Sequence, residues 1–272
     1  MIKLQNLCYH YRKKEELFKD LNLDLSPGKI VGLLGKNGSG KTTLLKIICG
    51  LLFPKSGQVQ VLDHQPKLRR PVFLGQLFFI PEEFHLPAVT IDQYIEANSG
   101  FYPTFDQSLM RQLLKECELP SGTFLNQISF GQKKKFLITF ALATKCKLLL
   151  LDEPTNGLDI PSKSIFRSMV AGSLDNDQLV IISTHQVKDI ENLIDSMIIL
   201  DQGNIILNKD LSEVSSQLRF SKRKSLDGLA VIYSEAIPGG FNVISALPEE
   251  PSVIDMELLF NAVTSGTQIL KP

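Results

Sequence analysis

The chain holds four cysteines, Cys8, Cys49, Cys117 and Cys146, and none of them falls in a C-x-x-C or Cys/His spacing. That excludes a zinc site or redox pair of those types and leaves four free thiols, read as buried ones in a reducing cytosol. No apolar run reaches the roughly 18 residues of a membrane-crossing helix, so the chain is expected not to cross a bilayer. Met1-Ile2-Lys3-Leu4-Gln5 lacks the build of a signal peptide. Charge of one sign is missing too: 29 Lys and Arg cancel 29 Asp and Glu. A polyanion or an anionic membrane surface is therefore disfavoured as main partner, and no nucleic acid is expected. Repeats and low-complexity tracts are absent. With 272 residues and 43% apolar content, the chain can bury a full core as one large domain or a domain with an appendage.

What is present is most informative at Gly35-Lys36-Asn37-Gly38-Ser39-Gly40-Lys41-Thr42, which fits G-x-x-x-x-G-K-[ST]. It directly follows the apolar run Ile30-Val31-Gly32-Leu33-Leu34 and precedes a helical-looking stretch from Thr42 to Cys49. Strand, glycine-rich turn and helix together make the context that turns this pattern into a phosphate site. The glycines let successive N–H groups curl toward one phosphate, and the helix adds its positive N-terminal end. A bound nucleoside triphosphate is expected, with Lys41 bridging its β- and γ-phosphates and the Thr42 hydroxyl ligating Mg²⁺.

Short β-branched or leucine-rich runs recur at Ile30 to Leu34, Val59 to Leu62, Leu148 to Leu151, Val180 to Ser183 and Met197 to Leu200. Helix-length spacers separate them, which argues for parallel strands joined by crossover helices in an α/β fold. Alternating patches in Met1 to Leu25 suit an antiparallel edge sheet, with Ser26-Pro27-Gly28 as a turn. Between about Phe84 and Phe140, Ile91, Tyr94, Ile95, Leu109, Leu113 and Leu114 follow helical spacing and predict a helical insertion. Beyond about Leu211 the alternation fades. Pro238-Gly239-Gly240 and Pro248-Glu249-Glu250-Pro251 suggest a small appended subdomain of undefined fold.

Leu148-Leu149-Leu150-Leu151-Asp152-Glu153 is an apolar strand ending in two carboxylates. In phosphate-loop enzymes such a strand is expected next to the loop strand, Asp152 holding Mg²⁺ from the second shell and Glu153 polarising the attacking water. A buried strand capped by an acidic turn fits the same residues, and the phosphate loop tips the balance. Ser129, in Ile128-Ser129-Phe130-Gly131-Gln132, is placed to cap a helix over Lys133 to Ala143; such a cap is an anion site, although most helices have one. Asn156-Gly157-Leu158-Asp159 is a turn. Ser183-Thr184-His185 closes the next strand, and a lone His there equally fits a structural role.

In this order the stations resemble the nucleotide-binding subunit of ATP-binding cassette (ABC) transporters, over about Ile2 to Asn208. The family's Walker A motif matches Gly35 to Thr42, its Leu-Ser-Gly-Gly-Gln signature matches Ile128 to Gln132, and its Walker B strand and catalytic glutamate match Leu148 to Glu153. The D-loop matches Asn156 to Asp159 and the switch histidine matches His185. Phe130 stands where the signature has its first glycine, while Ser129 and Gly131 remain. Glu82, in Phe79-Ile80-Pro81-Glu82, holds the place of the Q-loop glutamine, keeping an oxygen for Mg²⁺ but adding charge.

The resemblance implies a cassette with a mainly parallel sheet flanked by helices, an antiparallel N-terminal edge sheet, a helical insertion (about 84–140) within an ATP-binding domain 1–211, and an accessory segment 212–272. It implies Glu153, His185 and Lys41 as catalytic residues, and ATP contacts from Tyr11, Gly35, Asn37, Gly38, Ser39, Gly40, Lys41, Thr42, Thr43, Ser129, Gly131, Gln132 and Asp159. Thr42, Glu82 and Asp152 would hold Mg²⁺. Tyr11 stacks on adenine in this reading, though a place in the edge sheet fits it as well.

A homodimer, or a pair with a related cassette, follows, because Ser129 of one subunit would contact the γ-phosphate held by the other's Lys41. Separate transmembrane permease subunits are implied, docking near Glu82 through one or two of Phe78, Phe84, Phe101 and Tyr102. The chain would then sit in the cytoplasm, peripheral on the inner face of the membrane. The segment Ile254 to Thr264 resembles the acidic-then-Phe terminal helix of exporter-type subunits, and also suits any amphipathic helix. A soluble ABC ATPase acting on nucleic acid or ribosomes is the competing class; such relatives usually carry coiled coils or two cassettes, and neither is visible. A regulatory module without turnover is the third, opposed by Glu153 and His185. The runs Lys133-Lys134-Lys135 and Lys222-Arg223-Lys224 read as solvated faces.

Overall fold

Side chains alternate between the two faces of a strand, and this chain uses the alternation in two ways. In the computed structural model, which describes residues 1–12, 15–228, 230–246, 252–267 and 269, β1 (Ile2–Tyr9) and β2 (Phe18–Leu25) bury one face only. Ile2, Leu4, Leu7, Phe18, Leu21 and Leu23 point inward while polar neighbours stay outside. β3 (Lys29–Leu34) is buried on both faces.

The chain continues through α1 (Lys41–Ile48), β4 (Ser56–Val61), the short α2 (Pro71–Leu74) and β5 (Leu77–Ile80). Three helices follow, α3 (Ile91–Ser99), α4 (Gln107–Glu116) and α5 (Phe130–Ala143), then β6 (Leu148–Asp152), α6 (Ile160–Ser173) and β7 (Leu179–Thr184). A hairpin of β8 (Ser196–Asp201) and β9 (Asn204–Asp210) leads into α7 (Leu211–Gln217), β10 (Leu218–Arg223), β11 (Val231–Ile237), β12 (Gly240–Ala246) and α8 (Met256–Thr264).

The main sheet has six strands in the order β5-β6-β7-β3-β8-β9, parallel except for β9, which runs antiparallel to β8. Its two faces feed two hydrophobic cores. Val31, Leu33, Leu148 and Leu150 pack with α1 and the β1 and β2 side chains. Ile30, Leu34, Leu149 and Leu151 pack toward the helical segment, with Phe136, Phe140 and Phe166. This two-sided burial explains why the central strands read as continuous apolar runs. Among the described residues, no helix is long and apolar enough to cross a membrane.

Several expectations are corrected. The run Val59 to Leu62 is not a parallel strand: β4 pairs antiparallel with β1 in a separate three-stranded sheet, β2-β1-β4. β5 and β9 were not anticipated. The loop strand β3 and the carboxylate strand β6 are not neighbours either, because β7 lies between them; the two ends meet because α1 carries Thr42 across β7. Of the cysteines, Cys49, Cys117 and Cys146 are buried, and burial pushes the Cys49 thiol up to about 11, but Cys8 is only half-buried.

Lys134 also departs from the reading of its basic run, being 1% exposed. Phe101 alone of the four aromatics near Glu82 is strongly exposed, at 70%; Phe78, Phe84 and Tyr102 pack against the core. The C-terminal residues form an antiparallel sheet, β10-β12-β11, covered by α8. Their buried Phe220, Ile244, Leu258 and Leu259 belong to the same core cluster as the helical segment. The run Pro248 to Pro251, which suggested an appended subdomain, lies outside the described residues.

Candidate nucleotide-binding and hydrolytic site

The carboxyl ends of β3, β6 and β7 open on one side of the sheet, where ligands of parallel α/β folds gather. A cleft of about 1280 Å³ lies there. Asn37, Gly38, Gly40, Lys41, Thr42 and Thr43 line it, together with Tyr11, Glu82, Glu153 and His185. Gly35 and Ser39 stand behind it: the Gly35 carbonyl accepts from Lys41 Nζ at 2.8 Å, and the Ser39 N–H donates to the Lys36 carbonyl at 3.1 Å.

Gly40 caps α1 at φ 112°, and a Cβ there would come within 2.8 Å of the Phe18 ring. Gly38, at φ 83°, faces open space. Gly40→Ala is therefore expected to lower stability by about 1–2 kcal/mol or more, from backbone strain plus the clash. Urea denaturation checks this, an unchanged midpoint being the contrary result.

Around the loop, polar groups interlock. Thr42 Oγ1 donates to Asp152 Oδ2 at 2.8 Å, and Ser183 Oγ at the end of β7 donates to Asp152 Oδ1. Lys41 Nζ lies 3.6 Å from Glu153 Oε1. That same oxygen is 2.9 Å from His185 Nδ1. Glu153 has φ 45° and donates its N–H to the Ser183 carbonyl at 3.0 Å, so its carboxylate direction is set by the end of the neighbouring strand. Tyr11 meets Thr43 Oγ1 through its hydroxyl at 2.9 Å and Tyr9 edge-on, leaving its ring at the rim of the cleft. Glu82 accepts from Asn156 Nδ2 at 2.9 Å.

Ser129, Gly131, Gln132 and Asp159 do not line this cleft. Ser129 caps α5 in a capping box: Gln132 N–H donates to Ser129 Oγ at 3.2 Å, and Ser129 N–H to Gln132 Oε1 at 3.0 Å. Asp159 caps α6 by accepting from Ser162 N–H at 2.9 Å, and its hydrogen bonds to Ser162 hold its carboxyl below the ordinary range. Phe130 stacks on Phe84 with centroids 5.3 Å apart.

Sequence reasoning missed Glu15, Glu16, Leu17 and Gln202, which the β1–β2 connection and the β8–β9 turn bring to the cleft. It also missed Asn156 as a lining residue and Lys134. Nothing local in the sequence marks these positions.

The donors around Thr42 suit Mg²⁺. A hydroxyl and a carboxylate oxygen already lie 2.8 Å apart, and both are hard oxygen ligands. No group of three or more His, Cys, Asp or Glu among the described residues could hold a metal alone.

The family model described as ABC transporter matches residues 18–156. A putative ABC transporter ATP-binding protein of Onion yellows phytoplasma (strain OY-M) is 30% identical over 85% of this chain, which spans only 41% of that protein's length. The lantibiotic transport ATP-binding protein SrtF of Streptococcus pyogenes is 30% identical over 82% of this chain and 100% of its own. Among solved structures, a dimeric ATP-binding cassette bound to ADP and Pi is similar at a TM-score of 0.67 and 26% identity, covering 78% of this chain and 99% of that one. With the glycine-rich loop, Glu153 and His185 lining one cleft and Asp152 held against Thr42 beside it, the chain belongs to the ABC transporter family and is one of its ATP-binding, ATP-hydrolysing cassettes.

Proposed function

We propose that this chain powers a membrane transporter as its ATPase subunit, that two cassettes close on ATP and part after hydrolysis, and that the transport path, of the export type, lies on separate permease subunits. One observation carries the reading. Lys41, Thr42, Glu153 and His185 converge on one cleft while Ser129, Gly131, Gln132 and Asp159 stand off it, the division of labour of a site completed by a second copy or a related cassette.

Lys41 binds the β- and γ-phosphates, and the loop N–H groups orient them. Tyr11 offers its ring to the adenine. Glu153 accepts the proton of the attacking water, held in place by His185, which also reaches the γ-phosphate. Thr42, Asp152 and Glu82 would hold Mg²⁺, which when bound neutralises charge developing on the phosphate oxygens. Ser129, at the positive start of α5, meets the γ-phosphate bound by the partner. Closure then depends on contacts that ATP makes and ADP does not.

Residues 1–211 serve as the ATP-binding domain, and 212–272 as an accessory segment. Export is supported by the likeness to the SkfA peptide export ATP-binding protein SkfE of Bacillus subtilis (strain 168), 29% identical over 82% of this chain and 94% of its own, and by the acidic-then-Phe order of the cap Asp255 with Glu257 and Phe260 of the terminal helix. Affinity purification of the full chain from solubilised membranes tests the assignment. An apolar multi-span subunit is expected to accompany it, and ribosomes or DNA in its place would overturn the transport reading.

A further inference from the structure

Lys134 is the fifth residue of α5 after the Ser129 cap, fully enclosed, and both of its hydrogen bonds go to backbone carbonyls. Its Nζ donates to the Glu153 carbonyl at 2.9 Å and to the Asn156 carbonyl at 2.8 Å. These two carbonyls are the ends of one tight turn, which the Asn156 N–H closes on the Glu153 carbonyl at 3.2 Å. The ammonium therefore spans the turn that leads out of β6.

An enclosed cation is costly. Burial pushes the Lys134 pKa down, and Glu82, Glu153 and Asp152 pull it back up. A leucine or methionine of similar volume would avoid that cost in a purely structural position. What the lysine secures is the peptide that follows Glu153, a residue held at φ 45°, in the left-handed region where a side chain with a Cβ is strained. Fixing that peptide fixes the Cα–Cβ direction of Glu153, and so the carboxylate that faces His185 at 2.9 Å.

The same helix starts at Ser129, five residues and about 7.5 Å along the axis from Lys134. Between them Phe130 lies one turn below, with Nζ 5.3 Å from its ring centroid. The Phe130 ring in turn stacks on Phe84 and borders Gly157. One rigid helix thus connects the surface that meets the partner's nucleotide to the carboxylate in its own cleft.

We infer that Lys134 is a positioning residue for hydrolysis, which ties the signature helix to Glu153 through the backbone of the 153–156 turn, so that seating Ser129 on the partner's ATP orients the carboxylate in its own site. This rests on the functional reading above.

The test is a double-mutant cycle on the full chain. Lys134→Met is expected to lower kcat about 10- to 100-fold, the scale of a small misplacement of a reacting group, with KM for ATP changed less than about twofold. Lys134→Gln, which keeps an N–H donor without the charge, is expected to fall between wild type and Met and covers the case in which Met fails to fold. In a Glu153→Gln background, either substitution is expected to cost less than about twofold further, because the group it positions is gone. Equal losses in both backgrounds, or a kcat within twofold of wild type for both variants, would overturn the inference alone. Turnover insensitive to Glu153→Gln would remove both this inference and the role of Glu153 beneath it.

Discussion

Glu153→Gln is expected to leave ATP binding intact and to lower turnover by about two to four orders of magnitude, the range for losing a positioned general base. The substitution is nearly isosteric, and Glu153 is 5% exposed, so packing changes little. What changes is charge and basicity. Glu153 Oε1 stands 2.9 Å from His185 Nδ1 and 3.6 Å from Lys41 Nζ, and an amide there can no longer take a proton from water. The phosphate contacts assigned to Lys41 and the loop are untouched, which separates kcat from KM. Single-turnover hydrolysis together with equilibrium ATP binding gives the answer, and unchanged turnover would strip Glu153 of its role.

The second large effect lies on binding. Lys41→Ala is expected to weaken ATP binding by about 30-fold to several thousandfold, from the 2–5 kcal/mol that removal of one partner of a buried charge pair costs. In the free chain Lys41 Nζ is nearly enclosed, held by the Gly35 carbonyl at 2.8 Å and the Lys36 carbonyl at 3.4 Å, and close to Glu153. Its ammonium is therefore stored at the loop instead of drifting in solvent, and little ordering is needed to meet a phosphate. Alanine removes the charge and leaves Glu153 facing the cleft without its neighbouring cation, so repulsion of the triphosphate adds to the lost attraction. Isothermal titration of the full chain with ATP and Mg²⁺ reads the change, and a wild-type affinity would contradict the phosphate-bridging role.

Much of this site was legible in the residues. A phosphate loop is a local device: Gly38 and Gly40 permit backbone angles that other residues avoid, and Lys41 and Thr42 follow in fixed order on the first turn of α1. The Ser129–Gln132 capping box and the terminal helix after Asp255 are local for the same reason, since cap and helix lie within four residues of each other. Apolar runs such as Leu148 to Leu151 announced strands buried on both faces, because such continuity suits few other places.

Partners distant in sequence were another matter. Val59 to Leu62 has the composition of a strand, but composition cannot say whether its neighbour is β1 or the parallel sheet. Hydrogen bonding to β1 decided that, and made it antiparallel. In Lys133-Lys134-Lys135 three identical side chains leave a helix about 100° apart, so which one turns inward depends on where the rest of the fold lies.

The sequence by itself determined the nucleotide loop, the capped helix start at Ser129, the two carboxylates at the end of β6 and the family, because each is a short pattern whose chemistry is complete within a few residues. Tertiary structure alone decided that β7 separates β3 from β6, that Glu15, Glu16 and Gln202 reach the cleft, and that Lys134 is enclosed against the turn after Glu153. Those outcomes depend on which surfaces exclude water together, a property of the packed chain that no single segment carries.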